Sequence, residues 1–331
     1  MNERMEKLHA WIQIDLGIRQ YDLKPASVDA SFRRYFRLFA GDETSIIMDA
    51  PPAREDCKPF IDIAGRLQAA GVHVPEVLHV NLEEGFIHLG DLGEVLYLDR
   101  LNGDTADTLY KDAIASIVRI QEAGDCRGLP VFNREFLLAE MALFRDWLLG
   151  SHLNIVVDGK EARQLDAVFD LLVENALQQP QVFVHRDYHS RNLMVTRINN
   201  PGIIDFQDAM RGPVTYDLVS LLKDCYVKWP QAHVIGWARE YLEQQNGQAL
   251  DWNRFARWFD LMGVQRHLKA SGIFARLYHR DQKNGFLKDI PRTLSYIEEL
   301  SGQYPELEFL AGLIRSRVLP LLAEVSQACG P

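Results

Sequence analysis

The sequence predicts an α+β protein in which a small β-rich region, residues 1–92, precedes a larger and mostly helical region, residues 93–331. Short alternating apolar runs dominate the first region, whereas apolar residues at helical spacing dominate most of the second. Gly90 and Gly93 mark the joint, because paired glycines relax the backbone just after a strand. A chain of 331 residues has room for one large domain or two small ones.

The β-rich region is predicted to begin with a helix and to continue as a sheet with one inserted helix. Leu8, Trp11 and Ile12 recur at helical spacing, and Gly17 follows as a helix stop. The predicted strands are residues 31–39, 45–49, 76–80 and 85–89, and the inserted helix is residues 56–70.

The larger region is predicted to consist of helices that one β-rich segment, Gln181–Phe206, interrupts. The predicted helices are residues 105–122, 134–149, 160–178, 215–227, 231–246, 252–278 and 306–327. Within the β-rich segment, QVFVH, NLMVT and GIIDF are predicted strands, and the turn at 199–202 joins the last two.

The composition disfavours several classes of protein. Lys and Arg total 36 against 46 Asp and Glu, and the net charge of −10 disfavours general binding of nucleic acid or of an anionic membrane surface. The cysteines, Cys57, Cys126, Cys225 and Cys329, form no CxxC pair, so no zinc or redox motif is predicted. Few thiols, no signal-peptide pattern and no apolar run that could span a bilayer favour a cytoplasmic protein.

Three acid or amide side chains in the β-rich segment point to phosphoryl transfer. Asp187 and Asn192 bracket a short loop between two strands, and Asp205 ends the strand that is predicted to pair back. Asn192 and Asp205 offer the oxygen ligands that Mg²⁺ prefers, and Asp187 is left to orient a hydroxyl and accept its proton. An isolated Asp or Asn in a loop is more often a turn or capping residue. The ordered set in a strand–loop–strand context favours catalysis instead.

Two motifs in this segment resemble those of the kinase-like phosphotransferases. His185–Asp187, with Asn192 five residues beyond the aspartate, resembles their catalytic loop, and Asp205–Gln207 resembles their DFG-type metal motif. His189 and Tyr216–Leu218 are more similar to the aminoglycoside phosphotransferase and choline kinase branch than to protein kinases. The resemblance implies a bilobal protein-kinase-like fold, with ATP as phosphate donor and Mg²⁺ as metal cofactor.

Further segments are similar to the bacterial anomeric sugar kinases, and the similarity extends from about Ser27 to Leu294. These segments are DAPP at 49–52, GVHVPEVL at 71–78, GDLGEVLYLDRL at 90–101, GVQRHLKASGIFARLYHRDQK at 263–283 and DIPRTL at 289–294. Those enzymes phosphorylate N-acetylmuramate and N-acetylglucosamine at C1 in peptidoglycan recycling, so the resemblance implies the same reaction here. We expect a monomer whose partners are ATP and a small amino sugar.

The resemblance implies that adenine binds in the cleft between the lobes, through the backbone near Gly90, Asp91 and Leu92. The loop over the phosphates corresponds to residues 29–34, which contain no glycine. The hydroxyl and the backbone N–H of Ser31 are the expected contacts there.

The strand lysine that binds the α- and β-phosphates in related kinases is missing, because Met48 and Asp49 occupy the corresponding strand. Arg33 or Arg34 is the expected replacement, since a guanidinium binds phosphate oxygens bidentately. The alternative is that both arginines are solvated strand-face charges. The acidic partner of the missing lysine stays unassigned among Glu55, Asp56 and Asp62.

Three further residues are expected to have structural roles near the site. His185 is predicted to be a buried histidine that braces the catalytic loop, and His189 to be structural, with substrate contact as the alternative. Asp217 is predicted either to cap a helix or to brace the catalytic loop.

The substrate side is predicted from charge and from chain position. Arg266 and Lys269 are three residues apart in a basic segment and can share a helix face, where they suit the lactyl carboxylate of muramate. Asp208 and Arg211 are also predicted to bind substrate, because they come just after Asp205 in the sequence, where the sugar that accepts the phosphate would approach. Two alternatives stay open: a phosphotransferase for an aminoglycoside, choline or homoserine, and a nucleotide-binding pseudokinase.

Overall fold

The computed structural model describes residues 3–28, 32–245, 251–300 and 302–328. The chain divides into two compact units. The first comprises Met1–Arg100, Glu122–Asp125 and Arg191–Asp208, and the second comprises Leu101–Gln121, Cys126–Ser190 and Ala209–Pro331. The predicted α+β composition is confirmed, since a five-stranded sheet dominates the first unit and helices dominate the second.

The first unit begins with the predicted amphipathic helix, α1 (Glu3–Ile14). Leu8, Trp11 and Ile12 are buried, and they pack in one cluster with Leu38, Ile47 and Phe86 of the sheet. Burial of this apolar stripe against the sheet stabilises the helix more than its intrinsic propensity does.

The sheet is antiparallel, with the strand order β1-β2-β3-β5-β4. Its strands are β1 (Asp22–Val28), β2 (Arg34–Ala40), β3 (Glu43–Asp49), β4 (Val77–Asn81) and β5 (Phe86–Gly90), and helix α2 (Lys58–Ala69) lies between β3 and β4 in sequence. Strand β1 was not predicted from the sequence because it contains Pro25, which removes a backbone donor. The strand tolerates this proline because it forms an edge of the sheet.

The predicted pairing of the NLMVT and GIIDF strands is confirmed, although both strands are shorter than predicted. Strands β7 (Leu193–Met194) and β8 (Gly202–Ile203) pair with each other in the first unit. In the second unit, β6 (Gln181–Val184) pairs with β9 (Met210–Pro213), a strand that the sequence did not predict. The predicted strand at 202–206 ends early, because Asp205 adopts a left-handed backbone conformation with φ of 62°.

The helices, given in chain order, agree with most of the predicted spans. They are α3 (Tyr97–Arg100), α4 (Ala106–Ala123), α5 (Arg134–Leu143), α6 (Gly159–Leu177), α7 (Tyr216–Leu222), α8 (Gln231–Gln244), α9 (Trp252–Asp281), α10 (Ile290–Leu300), α11 (Glu308–Leu313) and α12 (Leu319–Ala328). Two π-helical stretches, Phe144–His152 and Ile314–Val318, follow α5 and α11 and replace parts of predicted α-helices. Short 3₁₀ segments, Asn284–Asp289 and Pro305–Leu307, precede α10 and α11.

Helix α9 lies at the centre of the second unit and packs against α5, α6, α7 and α10. Gly272 allows this close packing, because a Cβ atom there would lie 2.3 Å from the backbone carbon of Leu143. Within the described ranges, no helix is both long and apolar enough to cross a membrane.

Candidate active site

The loop that carries Asp187 follows strand β6 in the second unit, and Asp217 fixes its start. The Asp217 carboxylate accepts the backbone N–H of His185 at 2.7 Å and that of Arg186 at 3.0 Å. Arg186 has a φ of 79°, a conformation that costs free energy in a non-glycine residue and persists where the surroundings enforce it. His185 is fully buried, and its Nδ1 lies 3.3 Å from the backbone N–H of Asp187.

The end of this loop is held by Asp224, a residue that the sequence did not suggest. Its carboxylate accepts the backbone N–H of Ser190 at 3.0 Å and the Ser190 hydroxyl at 2.5 Å. The ring of His189 packs edge-on against Tyr226, with the ring centroids 5.3 Å apart. Burial lowers the pKa of His189 to about 4, so this ring is neutral at physiological pH.

The electrostatic environment keeps Asp187 ionised. Burial raises its pKa, but the positive charges of Lys269, Arg266 and Arg186 outweigh that effect and hold the pKa below the ordinary value. An ionised carboxylate can accept a hydrogen bond from a hydroxyl and orient it.

A buried ionic network around Glu140 lies in the same unit. Its carboxylate contacts Lys269 Nζ at 3.1 Å, Arg186 Nη2 at 3.2 Å and Gln265 Nε2 at 3.0 Å. Lys269 also donates to the hydroxyl of Tyr216 at 3.0 Å. The predicted substrate residue Lys269 thus contacts Glu140 and Tyr216 within the protein. The basic segment that carries it is part of α9, and most of its side chains are buried.

Arg266, the other predicted substrate residue on α9, is only 5 % exposed. Among the described residues, its guanidinium forms one hydrogen bond, from Nη1 to the sulfur of Cys225 at 3.6 Å. No carboxylate in the described ranges lies within ion-pair distance of it, which distinguishes it from Lys269.

The predicted metal ligands Asn192 and Asp205 lie together in the first unit. Asn192 Nδ2 donates to Asp205 Oδ2 at 3.1 Å, and the backbone carbonyl of Asn192 accepts the N–H of Ile204 at 3.1 Å. Gln207 orients the other carboxylate oxygen of Asp205 with a 2.9 Å hydrogen bond. An amide oxygen and a carboxylate are hard donors that fit Mg²⁺, which needs few protein ligands when phosphate and water supply the others. Among the described residues, no group of three or more His, Cys, Asp or Glu side chains could hold a metal.

The two arginines predicted to bind nucleotide have different acidic partners. Arg33 Nη2 lies 3.2 Å from Glu55 Oε2, and these side chains are 10 % and 14 % exposed. Glu55 also accepts the backbone N–H of Phe32 at 3.1 Å. Arg34 instead donates through Nε to the fully buried Asp49, at 2.9 Å, across the β2–β3 register. Ser31 lies outside the described residues.

The segment predicted to contact adenine is held by Arg37, a residue that the sequence did not single out. Its Nε donates to Asp91 at 2.7 Å, and its Nη2 donates to the carbonyl of Gly93 at 2.7 Å. Burial raises the pKa of Asp91, but hydrogen bonds from Arg37 and from the Gly93 backbone lower it below the ordinary value. Gly90 N–H donates to the Glu76 carbonyl at 2.9 Å, and Leu92 lies against Gly202.

The remaining predicted substrate residues are both exposed. Asp208, in the first unit, lies 3.4 Å from Gln207 Nε2. Arg211, in strand β9 of the second unit, makes backbone hydrogen bonds with Pro130 and Phe132.

Comparison with known proteins gives matches over most of the chain. The model of the phosphotransferase enzyme family matches residues 22–258. The N-acetylmuramate/N-acetylglucosamine kinase of Pseudomonas aeruginosa is 46 % identical, over 97 % of this chain and 98 % of the relative. The protein of that name from Neisseria meningitidis serogroup B is 40 % identical, over 94 % of this chain and 95 % of the relative.

Solved structures with the same fold have low sequence identity. An ADP-bound aminoglycoside phosphotransferase APH(2'')-Ib superposes with a TM-score of 0.61 at 15 % identity, over 89 % of this chain and 98 % of that one. The choline kinase LicA from Streptococcus pneumoniae gives a TM-score of 0.61 at 12 % identity, over 89 % of this chain and 99 % of that one. These similarities confirm the predicted kinase-like fold of the aminoglycoside phosphotransferases.

Proposed function

The chain belongs to the phosphotransferase enzyme family, and from this premise we propose that it phosphorylates the anomeric (C1) hydroxyl of N-acetylmuramate and N-acetylglucosamine, with ATP as donor. The observation that carries the proposal is the 46 % identity, over 97 % of the chain, to a kinase named for these two sugars. The fixed loop around Asp187 and the Asn192–Asp205 pair support it, because phosphoryl transfer needs a group that orients the hydroxyl and oxygen ligands for a metal ion.

Asp187 is the proposed catalytic residue, which orients the sugar hydroxyl and accepts its proton. Its lowered pKa keeps it ionised but makes it a weak base. An anomeric hydroxyl is more acidic than an ordinary alcohol, so it demands less of the base. We assign structural roles to His185, His189 and Asp217, which support the loop.

Asn192 and Asp205 are the proposed ligands of Mg²⁺. The ion, when bound, neutralises charge on the phosphate oxygens. Gln207 contributes by keeping the Asp205 carboxylate oriented.

We assign nucleotide binding to the N-terminal lobe, residues 1–92. Ser31, Arg33 and Arg34 are the proposed phosphate contacts, and the backbone of Gly90, Asp91 and Leu92 is the proposed adenine contact. The Arg33–Glu55 ion pair supports Arg33 as the substitute for the missing lysine, since a partly buried acidic partner fixes the guanidinium of Arg33. Glu55 then takes the place of the acidic partner that the sequence left unassigned.

We assign catalysis and sugar binding to the C-terminal lobe, residues 93–331. Asp208, Arg211, Arg266 and Lys269 are the proposed substrate-binding residues. The influence of Lys269 and Arg266 on the pKa of Asp187 supports their nearness to the acceptor. We further propose that the enzyme acts in peptidoglycan recycling as a cytoplasmic monomer without a nucleic-acid partner.

The test is an acceptor screen with ATP and Mg²⁺, followed by NMR spectroscopy to locate the phosphate on the product. The panel contains N-acetylmuramate, N-acetylglucosamine, an aminoglycoside, choline and homoserine. A methyl glycoside of N-acetylglucosamine is the matched control, because its C1 oxygen is blocked. We expect phosphate on C1 of both free sugars and none on the glycoside. Transfer only to another acceptor, transfer to a different sugar oxygen, or no transfer at all would contradict the proposal.

A further inference from the structure

Arg266 is a buried cation that forms no ion pair with any residue that the structure describes. Arg266 is 5 % exposed, and in the described part of the chain its only hydrogen bond goes to the Cys225 sulfur at 3.6 Å. A thiol is a weak acceptor, so it offsets little of the free energy that burying a guanidinium costs. Nη1 donates the hydrogen bond to Cys225, and the other guanidinium nitrogens of Arg266 donate none among the described residues. These nitrogens are not fully buried, so they are accessible to solvent or to a ligand.

The position of Arg266 relates it to the reacting centre. Its partner Cys225 directly follows Asp224, whose carboxylate holds Ser190 at the end of the catalytic loop. Burial lowers the pKa of Arg266, but nearby acidic groups, the carboxylates of Asp187 and Asp224 among them, outweigh that effect and raise it, so the guanidinium stays protonated. The guanidinium therefore borders the loop that carries the proposed base.

Lys269, three residues further along α9, has the opposite arrangement. Its ammonium group is satisfied by Glu140 at 3.1 Å and by Tyr216 at 3.0 Å. Of these two buried cations near Asp187, only Arg266 therefore has donors left for a ligand.

These observations point to an anion-binding group next to the acceptor, and the inference rests on the function proposed above. The two proposed sugars share the anomeric hydroxyl and the acetamido group, and they differ in one charged group. N-acetylmuramate carries a lactyl ether with a carboxylate on C3, whereas N-acetylglucosamine carries a hydroxyl there. We propose that Arg266 binds this carboxylate and thereby determines the preference for N-acetylmuramate.

The test combines removal of the arginine with removal of the carboxylate charge. The variants are Arg266→Gln and Arg266→Lys, and the substrates are N-acetylmuramate, its methyl ester and N-acetylglucosamine. Arg257→Gln is the matched control, since it removes one positive charge from an exposed position of the same helix. Arg266→Gln should lower kcat/KM for N-acetylmuramate about 10- to 100-fold, the loss of a charge-assisted hydrogen bond. Arg266→Lys should retain part of the preference, because it keeps the charge without the bidentate geometry.

Urea denaturation of Arg266→Gln serves as the folding control. Because Arg266 also acts on the pKa of Asp187, the diagnostic quantity is the difference between substrates: kcat/KM for N-acetylmuramate should fall about 10-fold more than kcat/KM for N-acetylglucosamine or for the methyl ester. An equal loss with all three substrates would overturn the proposal, because Arg266 would then act on the base, the phosphate or a shared part of the sugar. An unchanged preference for N-acetylmuramate would overturn it as well. If the wild-type enzyme phosphorylates neither sugar, the proposed function itself fails, and that result is distinct from both.

Discussion

At the scale of single residues, the most informative feature of the proposed nucleotide site is the Arg33–Glu55 ion pair. The expected lysine is absent, and the buried Asp49 that occupies its strand binds Arg34 instead. A partly buried ion pair fixes a guanidinium that would otherwise lose side-chain entropy on binding phosphate. The structure thus separates the two arginines that the sequence left equivalent.

We expect Arg33→Gln to raise the KM for ATP about 10- to 100-fold, because a charged hydrogen bond to phosphate is lost. The KM for the sugar should stay within about twofold, since the substitution removes a contact to ATP and none to the sugar. Glu55→Gln should shift the KM for ATP in the same direction by a smaller factor. Steady-state kinetics with each substrate varied in turn measures both effects, and Arg19→Gln is the exposed control. An unchanged KM for ATP in Arg33→Gln would remove the residue from the nucleotide site.

Asp187, Asn192 and Asp205 could be proposed as site residues from the sequence because they lie within one short stretch with recognisable order. Their supporting residues could not. Asp224 and Glu140 are 34 and 46 residues from the loop positions that they bind. Such contacts depend on tertiary packing, and no local spacing in the sequence encodes them.

At the scale of elements, helix α7 fixes the catalytic loop from both of its ends. Asp217, in its first turn, binds the backbone of His185 and Arg186, and Asp224, just beyond its last turn, binds Ser190. The helix ends at Leu222, earlier than the predicted 227, because Lys223 leaves helical geometry with ψ of 49°. Because the helix ends early, the Asp224 carboxylate can reach the backbone N–H of Ser190 in the loop. The helix is therefore shorter than predicted at the point where Asp224 supports the candidate site.

The packing of α9 against the end of α5 predicts a large effect of one added methyl group. In Gly272→Ala the new Cβ would meet the backbone of Leu143 and Phe144 at 2.3 to 2.5 Å, and backbone cannot move aside cheaply. We expect the free energy of unfolding to fall by about 1–3 kcal/mol or more, as for overpacked cores. Urea denaturation measures it.

Gly236→Ala on α8 is the matched control, because no atom lies within 4 Å of its added Cβ. That substitution should leave stability unchanged or raise it by up to about 1 kcal/mol, through helix propensity. Equal effects of the two alanines would contradict the close approach of α9 to α5.

The Arg37–Asp91 contact predicts a stability that depends on pH. The pKa of folded Asp91 lies below its unfolded value, so the ionised form stabilises the fold above the ordinary aspartate pKa. That contribution is lost as the pH falls through the folded pKa, below about pH 4. Asp91→Asn should therefore lower the unfolding free energy at pH 7 by about 1–3 kcal/mol and make it less sensitive to acid. Urea denaturation at several pH values measures this, and an equal loss at pH 7 and at low pH would contradict it.

At the scale of the whole molecule, the order of β-rich and helical segments was predictable, whereas strands β1 and β9 and helices α3 and α10 were not. Strand β1 contains Pro25 and lacks an alternating apolar pattern, so only its edge position explains it. Helix α10 was not predicted, although its apolar residues are buried at helical spacing and Pro291 lies in its first turn. Proline is tolerated in the first turn of a helix, where no intrahelical donor is needed.

The net charge of −10 is compatible with binding phosphate and carboxylate groups of small ligands, because the cations proposed to bind them are placed locally. Arg33 has its acidic partner in the first unit, and Arg266 has donors left for a ligand in the second. The acidic background disfavours large polyanions and leaves small ligands to be recognised by specific contacts.

Asp187 is the residue proposed to perform the proton chemistry of phosphoryl transfer to an amino sugar, and Asp187→Asn tests this role most directly. We expect kcat with N-acetylglucosamine to fall about 10²- to 10⁴-fold, the usual contribution of a positioned general base, while the KM for ATP stays nearly constant. Asp166→Asn, at a 59 % exposed carboxylate on α6, is the matched control and should retain wild-type kcat. A near-normal kcat in folded Asp187→Asn would contradict the account.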